Sequence, residues 1–265
     1  MTEHDTGQVA ASAAEIYESF FVPALFAEWP AHVLAAATVG PGDHVLDVAC
    51  GTGILARAAL ARVGTSGSVT AIDMNDGMLA VARQRSTAVT WHEGDACALP
   101  FADNAFDHVV SQFGLMFFPD RPRALQEMRR VTRDGGQIAV AVWGSLADTP
   151  GYAAMSALLL DLFGADVANS LAAPYSLGDR DVLASLCAEA GINDARIETV
   201  VGRAQFASLD AWLYTDIRGW TLANVINDAD YARLTAAASR RLSSFVNDDG
   251  SVSFAAPAHV VSFTA

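Results

Sequence analysis

The chain predicts an α/β fold, a parallel sheet with helices on both faces, on three observations. Strand-like and helix-like segments alternate through residues 40–145 with short connections. A glycine loop, Gly51-Thr52-Gly53, follows the apolar run HVLDVA. Three carboxylates, Asp47, Asp73 and Asp95, fall near or just after the ends of three successive strands, the edge at which open parallel sheets bind ligands.

Residues 9–37 read as helical, and Pro23 and Pro30 divide them into two or three short helices. PGD at 41–43 makes a turn before the first strand, HVLDVA. The loop then opens into the helix ILARAALARV, which Gly64 and Gly67 end. SVTAID is the second strand, and NDGMLAVARQRS is a helix capped by Asn75 or Asp76. AVTWHEG is the third strand and FDHVVSQ the fourth. RPRALQEMRRVT is a helix whose basic C-terminal half suits its dipole. RDGG turns into the fifth strand, QIAVAVW. Beyond Trp143, GYAAMSALLLDLFG and DRDVLASLCAEAG read as helices and DARIETVVGRAQF as a strand. Residues 208–246 read as a helical insertion before a last strand, SVSFAAPAHVVSFTA. The expected organisation is one domain over 1–265: a helical lid at 1–37, a ligand-binding core at 40–145, and a C-terminal half at 146–265.

A hydrophobic fraction of 52% supports a large buried core. The net charge of −14 disfavours nucleic acid and anionic membranes, and suits a small neutral, cationic or apolar partner. Three cysteines without CxxC spacing, and no histidine cluster, argue against disulfides or a metal and for a reducing, cytoplasmic compartment. The N-terminus shows no signal-peptide pattern, and AMSALLLDLFGADVA is too interrupted to span a bilayer. A homodimer is compatible with the sequence.

The acid beside the glycine loop discriminates between two nucleotide-type ligands. Gly51, Gly53 and Ala56 match a dinucleotide fingerprint, with Asp73 placed like a ribose-binding acid. Asp47 opposes that reading, because a carboxylate about 6 Å from a pyrophosphate costs roughly 3 kcal/mol per charge pair at an effective dielectric near 20. S-adenosylmethionine has no phosphate and carries an ammonium and a sulfonium. Asp47 then faces the ammonium, Asp73 accepts from the ribose hydroxyls, and Asp95 and the amide of Ala96 meet the adenine.

VLDVACGTG, AIDMNDGML, EGDACALPFADNAFDHVV and RVTRDGGQIAVAVW, in this order, resemble the class I, Rossmann-like S-adenosylmethionine-dependent methyltransferases. The likeness is greatest to their small-molecule branch, which includes the ubiquinone and menaquinone methylating enzymes. It covers about residues 40–145. It implies seven strands in the order 3-2-1-4-5-7-6 with strand seven antiparallel, an N-terminal helical lid, and a helical insertion before the last strand. It implies that Asp47, Gly51 and Gly53 hold the methionine part of the cofactor, together with Ala49, which stands where the family often has glycine. Asp73 matches the ribose acid, Met74 the apolar residue against adenine, and Asp95 and Ala96 the adenine site. Ser111 and Gln112 match positions near the transferable methyl.

On the acceptor side the segment SQFGLMFF is apolar, and Phe113, Leu115, Met116, Phe117 and Phe118 are candidates to wall a pocket. In such enzymes the lid and the insertion cover the site, which points to Tyr17, Phe20 and Phe21, and to Trp212, Arg218 and Trp220. Trp143 and Tyr152 flank the fifth strand's end. Tyr17 is the first candidate for a residue closing over the cofactor, and aromatic rings there suit a sulfonium. No general base stands out, and His92 and His32 are the weak candidates. The expected activity is methyl transfer to a small apolar or aromatic acceptor, with oxygen the leading acceptor atom. An NAD-dependent oxidoreductase and a non-catalytic S-adenosylmethionine-binding protein are the alternatives.

Overall fold

The computed structural model describes residues 11–219, 222 and 225–265. A short helix α1 (Ala11–Ile16) runs into a ten-residue π-helix (Tyr17–Phe26), followed by α2 (Trp29–Ala36). Pro23 lies inside the π-helix rather than dividing it, whereas Pro30 sits in the first turn of α2, where its missing N–H breaks no helical bond.

The core then alternates: β1 (His44–Val48), α3 (Ile54–Val63), β2 (Ser68–Asp73), α4 (Asp76–Arg85), β3 (Thr90–Glu93), β4 (Phe106–Gln112), α5 (Arg121–Val131) and β5 (Thr132–Trp143). Asn75 caps α4 by accepting from the Met78 amide at 3.1 Å. Helices α6 (Pro150–Phe163), α7 (Ala165–Ala172) and α8 (Arg180–Glu189) follow. Strand β6 (Arg196–Phe206) precedes α9 (Leu209–Arg218) and α10 (Asp228–Arg241), and β7 (Val252–Thr264) is the last strand.

One seven-stranded sheet has the order β3-β2-β1-β4-β5-β7-β6. The first five strands pair in parallel, and β7 is antiparallel to both neighbours. Parallel strands need crossovers, so helices surround this part of the sheet; β1 is buried after His44, and β5 is buried over its second half, Ile138–Trp143. The register aligns the carboxyl ends. Val48 pairs with Ile72, Asp73 with Glu93, and Gln112 with Ala141. The strand order reverses between β1 and β4, the switch point at which a crevice opens.

The insertion between β6 and β7 has an aromatic core of its own. Trp212 is fully buried and packs on Phe206, Phe254 and Phe245. No single helix is long and apolar enough to cross a membrane, although the bent pair 14–26 and 29–36 passes on length and composition together.

Candidate functional site

At the switch point lies a cavity of about 240 Å³. The glycine loop, the turn after β2 and the segment after β3 wall it on one side, and the turn after β4 and the π-helix on the other. Two non-glycine residues on its wall, Ala49 and Phe113, adopt left-handed backbone with φ of 56° each. That conformation costs an L-residue roughly 1–2 kcal/mol and is met at sites where the chain must turn sharply. The two turns touch across Gly114. A Cβ added there would lie 2.6 Å from the Ala49 Cβ and 3.2 Å from Ser111 Oγ, so only glycine lets them meet.

Asp73 is the acid on the wall. Its Oδ2 accepts from the Gly51 amide at 2.7 Å and its Oδ1 from the Asn75 amide at 2.9 Å. The carboxylate thus pins the glycine loop to the start of α4 and keeps further lone pairs free for a ligand. Burial raises its pKa, against the pull of those amides. Met74, half-exposed, and the buried Ala96 line the same wall beside Asp95, whose Oδ1 accepts from the Cys97 amide at 2.8 Å. Buried Glu127 of α5 holds this segment from below. It accepts from the Leu99 amide and is bridged by Arg130, which also donates to the Leu99 and Phe101 carbonyls. Those bonds from Arg130 hold the Glu127 carboxyl below its usual pKa.

The opposite wall is aromatic. Phe113 and Trp143 stack with ring centres 3.9 Å apart, and Phe26 lies 5.5 Å and 5.8 Å from them. Tyr17 stacks on Phe26 at 5.2 Å and lines the cavity from the lid. Burial, then the charge of Asp73, raises the Tyr17 pKa and keeps its hydroxyl protonated. The lid is tied to the loop by charge: Glu18 accepts from Arg57 at 2.9 Å, and Arg57 donates to the Thr52 carbonyl at 2.6 Å. Gln112 Nε2 adds a bond to the Phe26 carbonyl at 3.2 Å.

Several expected residues stand elsewhere. Asp47 is 1% exposed and lies under the loop rather than on the wall, because it precedes the end of a central strand paired on both sides. Neither of its oxygens has a hydrogen-bond partner, the Ala56 amide lying on its side but outside bonding geometry. Burial, then repulsion from Asp73, pushes its pKa well up. Gly53 caps α3 with a φ of 85°, and Trp91 rather than the cavity covers it: an added Cβ would meet the indole at 2.4 Å. Ser111 and Gln112 sit behind the wall, with Ser111 Oγ and Gln112 Oε1 unpartnered.

On the acceptor side, Phe20 is 43% exposed and packs on Tyr214, away from the cavity. Phe21 and Tyr152 border a second, smaller cavity, Met116 is buried behind the β4 turn, and Trp212 belongs to the core of the insertion. Arg218 is spent on structure: it donates to the Ile226 carbonyl and to Asp228, and its guanidinium covers Tyr231. His92 packs edge-on against Phe101, and His32 lies exposed beside Trp29, so neither reaches the cavity. Trp220 lies outside the described residues.

The wall residues that sequence reasoning missed are Phe26, Ile72, Asn75, Met78, Gly94, Gly114 and Pro119. Asn75 and Met78 carried a signal, the cap and first turn of a helix directly after the acid at a strand end. Phe26 carried none, since the nine residues separating it from Tyr17 fit two slow turns of a π-helix rather than an α-helix.

The donor set fits S-adenosylmethionine. Asp73 and Asp95 stand on the wall with lone pairs for hydroxyl and amino groups, and Asp47, which has no partner among the described residues, lies beneath the loop where a ligand's ammonium offsets its charge. Among the described residues no cluster of three or more His, Cys, Asp or Glu is placed to hold a metal.

Residues 46–140 match the family described as "Methyltransferase domain". The chain is 39% identical over 178 residues to the ubiquinone/menaquinone biosynthesis C-methyltransferase UbiE of Bordetella avium, covering 62% of this chain and 70% of that one. It is 34% identical over 188 residues to the demethylmenaquinone methyltransferase of Staphylococcus epidermidis, covering 66% and 78%. In fold it is similar to phosphoethanolamine N-methyltransferase 2 of Haemonchus contortus, solved with phosphomonomethylethanolamine and S-adenosylhomocysteine. That likeness has a TM-score of 0.61 and 18% identity, and covers 96% of this chain and 57% of that one. The YcgJ protein of Bacillus subtilis gives a TM-score of 0.57 and 18% identity, covering 89% and 97%.

The chain therefore belongs to the class I S-adenosylmethionine-dependent methyltransferases, and it is an enzyme of that kind. Within the class it resembles the ubiquinone and menaquinone C-methyltransferases, and its cofactor is S-adenosylmethionine.

Proposed function

We propose that the protein methylates a ring carbon of a small, flat, apolar acceptor. The observation that carries this reading is the aromatic wall, in which Phe26, Phe113 and Trp143 meet within 5.8 Å on the side of the cavity opposite Asp73. A slot of this kind favours a planar ring and excludes water. Oxygen, the acceptor atom expected from sequence, gives way to carbon because the Bordetella avium relative is named a C-methyltransferase. Attack by an electron-rich ring carbon also suits a cavity wall with no histidine among the described residues.

When bound, the cofactor supplies an electrophilic methyl group on a sulfonium. Asp73 receives its ribose hydroxyls, Asp95 and the Ala96 amide receive its adenine, and Met74 covers the base. Asp47 acts from beneath the loop as buried negative charge under the methionine ammonium, with Ala49 and Gly51 at the closest approach. Tyr17 closes over the ligand from the lid.

The test is incubation with deuteromethyl-labelled S-adenosylmethionine and an acceptor panel comprising a reduced demethylmenaquinone, a polyphenol and a polar amine. The label is expected on a ring carbon of the first, read by NMR. Label solely on oxygen, or solely on the amine, defeats the proposal.

A further inference from the structure

Next to the cofactor cavity lies a second one of about 40 Å³, and the two share Phe26 and Trp143 as walls. It is lined mainly by apolar groups, yet Asp216 of α9 reaches into it. Asp216 is 4% exposed. Its Oδ1 accepts from the Tyr152 hydroxyl at 3.0 Å, while its Oδ2 is buried without a partner among the described residues. Among the described residues no cation pairs with it. The titratable groups that face it are Tyr152 of α6 and Tyr175 of the turn Ala173–Tyr175. Trp212, one turn earlier on α9, brings its indole N–H near without reaching hydrogen-bond geometry, and among the described residues no other hydrogen bond or ion pair reaches the Asp216 side chain.

A buried carboxylate with one oxygen fixed and the other open is expensive to keep unless a ligand uses it. We infer that this cavity receives the hydroxyl-bearing edge of the methyl acceptor, that Asp216 Oδ2 accepts the hydroxyl's hydrogen bond and proton, and that Tyr152 positions the carboxylate. The acceptor is then a hydroxylated aromatic ring. The inference rests on the methyl-transfer reading above and adds the group that recognises the acceptor.

In the reaction Asp216 takes the O–H proton, and the electron pair left on oxygen is delocalised to the ring carbon that bonds to the methyl. The bond from methyl to sulfur breaks with its electrons remaining on sulfur. The proton on that ring carbon passes to water, and Asp216 returns its own proton to the ring oxygen. One proton is released per methyl transferred. Burial, the larger cause, pushes the Asp216 pKa up to about 7, where a general base is most effective near neutral pH.

The test uses 1-naphthol and 1-methoxynaphthalene as probes, titrated by calorimetry into the full chain saturated with S-adenosylhomocysteine. At pH 8 the wild type is expected to prefer the naphthol at least tenfold. The preference should shrink severalfold at pH 5.5, where Asp216 holds its proton. Asp216→Asn should bring the two probes within twofold of each other with S-adenosylhomocysteine affinity unchanged, and Tyr152→Phe should leave an intermediate preference. A tenfold preference that survives in Asp216→Asn, or a wild type that binds both probes equally, overturns the inference and leaves methyl transfer standing. If neither probe binds the saturated protein, the aromatic-acceptor reading falls and the inference with it.

Discussion

Asp216 makes a prediction about stability that needs no substrate. Its carboxyl titrates near pH 7 in the folded chain, against an ordinary value of 3.8, and burial is the main cause. A folded-state pKa above the unfolded one means that the native protein holds a proton the unfolded chain has released. Stability from this group is therefore full below about pH 4 and is lost as the pH rises through about 7. At about 1.4 kcal/mol per unit, tapering as the folded group titrates, the loss is about 2 kcal/mol between pH 5 and pH 7 and about 3 kcal/mol by pH 8. Asp216→Asn keeps an oxygen for the Tyr152 hydroxyl and removes the titration. It leaves a buried amide N–H₂ in place of Oδ2, at a penalty of about 1–3 kcal/mol that does not depend on pH. The difference in unfolding free energy between variant and wild type should therefore move by about 3 kcal/mol in the variant's favour from pH 5 to pH 8. Urea denaturation of both proteins at the two pH values reads this directly. Asp47 and Asp73 titrate in both proteins and cancel in the difference. A mutational effect constant to within about 0.5 kcal/mol across that range would refute the reasoning.

Two further outcomes follow from the cofactor wall. Asp73→Ala removes the acceptor of the Gly51 and Asn75 amides along with the ribose ligand, and should weaken S-adenosylhomocysteine at least tenfold by calorimetry; an affinity within twofold of wild type removes that assignment. Gly53→Ala should lower the melting temperature more than Gly51→Ala. Both residues have positive φ, but only at position 53 does an added Cβ collide with Trp91, whereas at 51 it meets nothing within 4 Å; equal shifts in a thermal melt would contradict this packing.

What could be read from sequence was what local chemistry decides. Strands Ser68–Asp73 and Phe106–Gln112 were legible to the residue, because apolar runs there end at a helix cap or an apolar turn. Ala49, Gly51, Asp73, Met74, Asp95 and Ala96 were legible as wall residues, because a strand end and the turn after it fix where such side chains go. The errors came where tertiary packing decides. Asp47 belongs to the same motif as Gly51, yet its side chain is buried beneath the loop and off the cavity wall. Phe20 and Phe21 are adjacent and both aromatic, and the helix turns one outward and the other inward. Trp212 and Arg218 were as plausible for a pocket as for a core, and the insertion used both to hold itself together. Asp216, on the same helix, looked like any surface acid. Its partner Tyr152 is 64 positions away, and no local pattern links the two.

On the reading proposed above, the buried acids favour a sulfonium nucleoside over a dinucleotide at the loop. The charge of Asp73 disfavours ionisation of Asp47, and burial raises the pKa of both before any ligand arrives. A pyrophosphate placed on Gly51 would add a third negative group to a pair already short of compensation, and its approach would be opposed by several kcal/mol at the spacing of a few ångströms. An ammonium and a sulfonium supply the missing charge. The Asp47 carboxyl, without a partner among the described residues, is a buried group that a cationic ligand stabilises in its ionised form and an anionic one disfavours. Selectivity at this site is set by what the loop covers as much as by what it exposes.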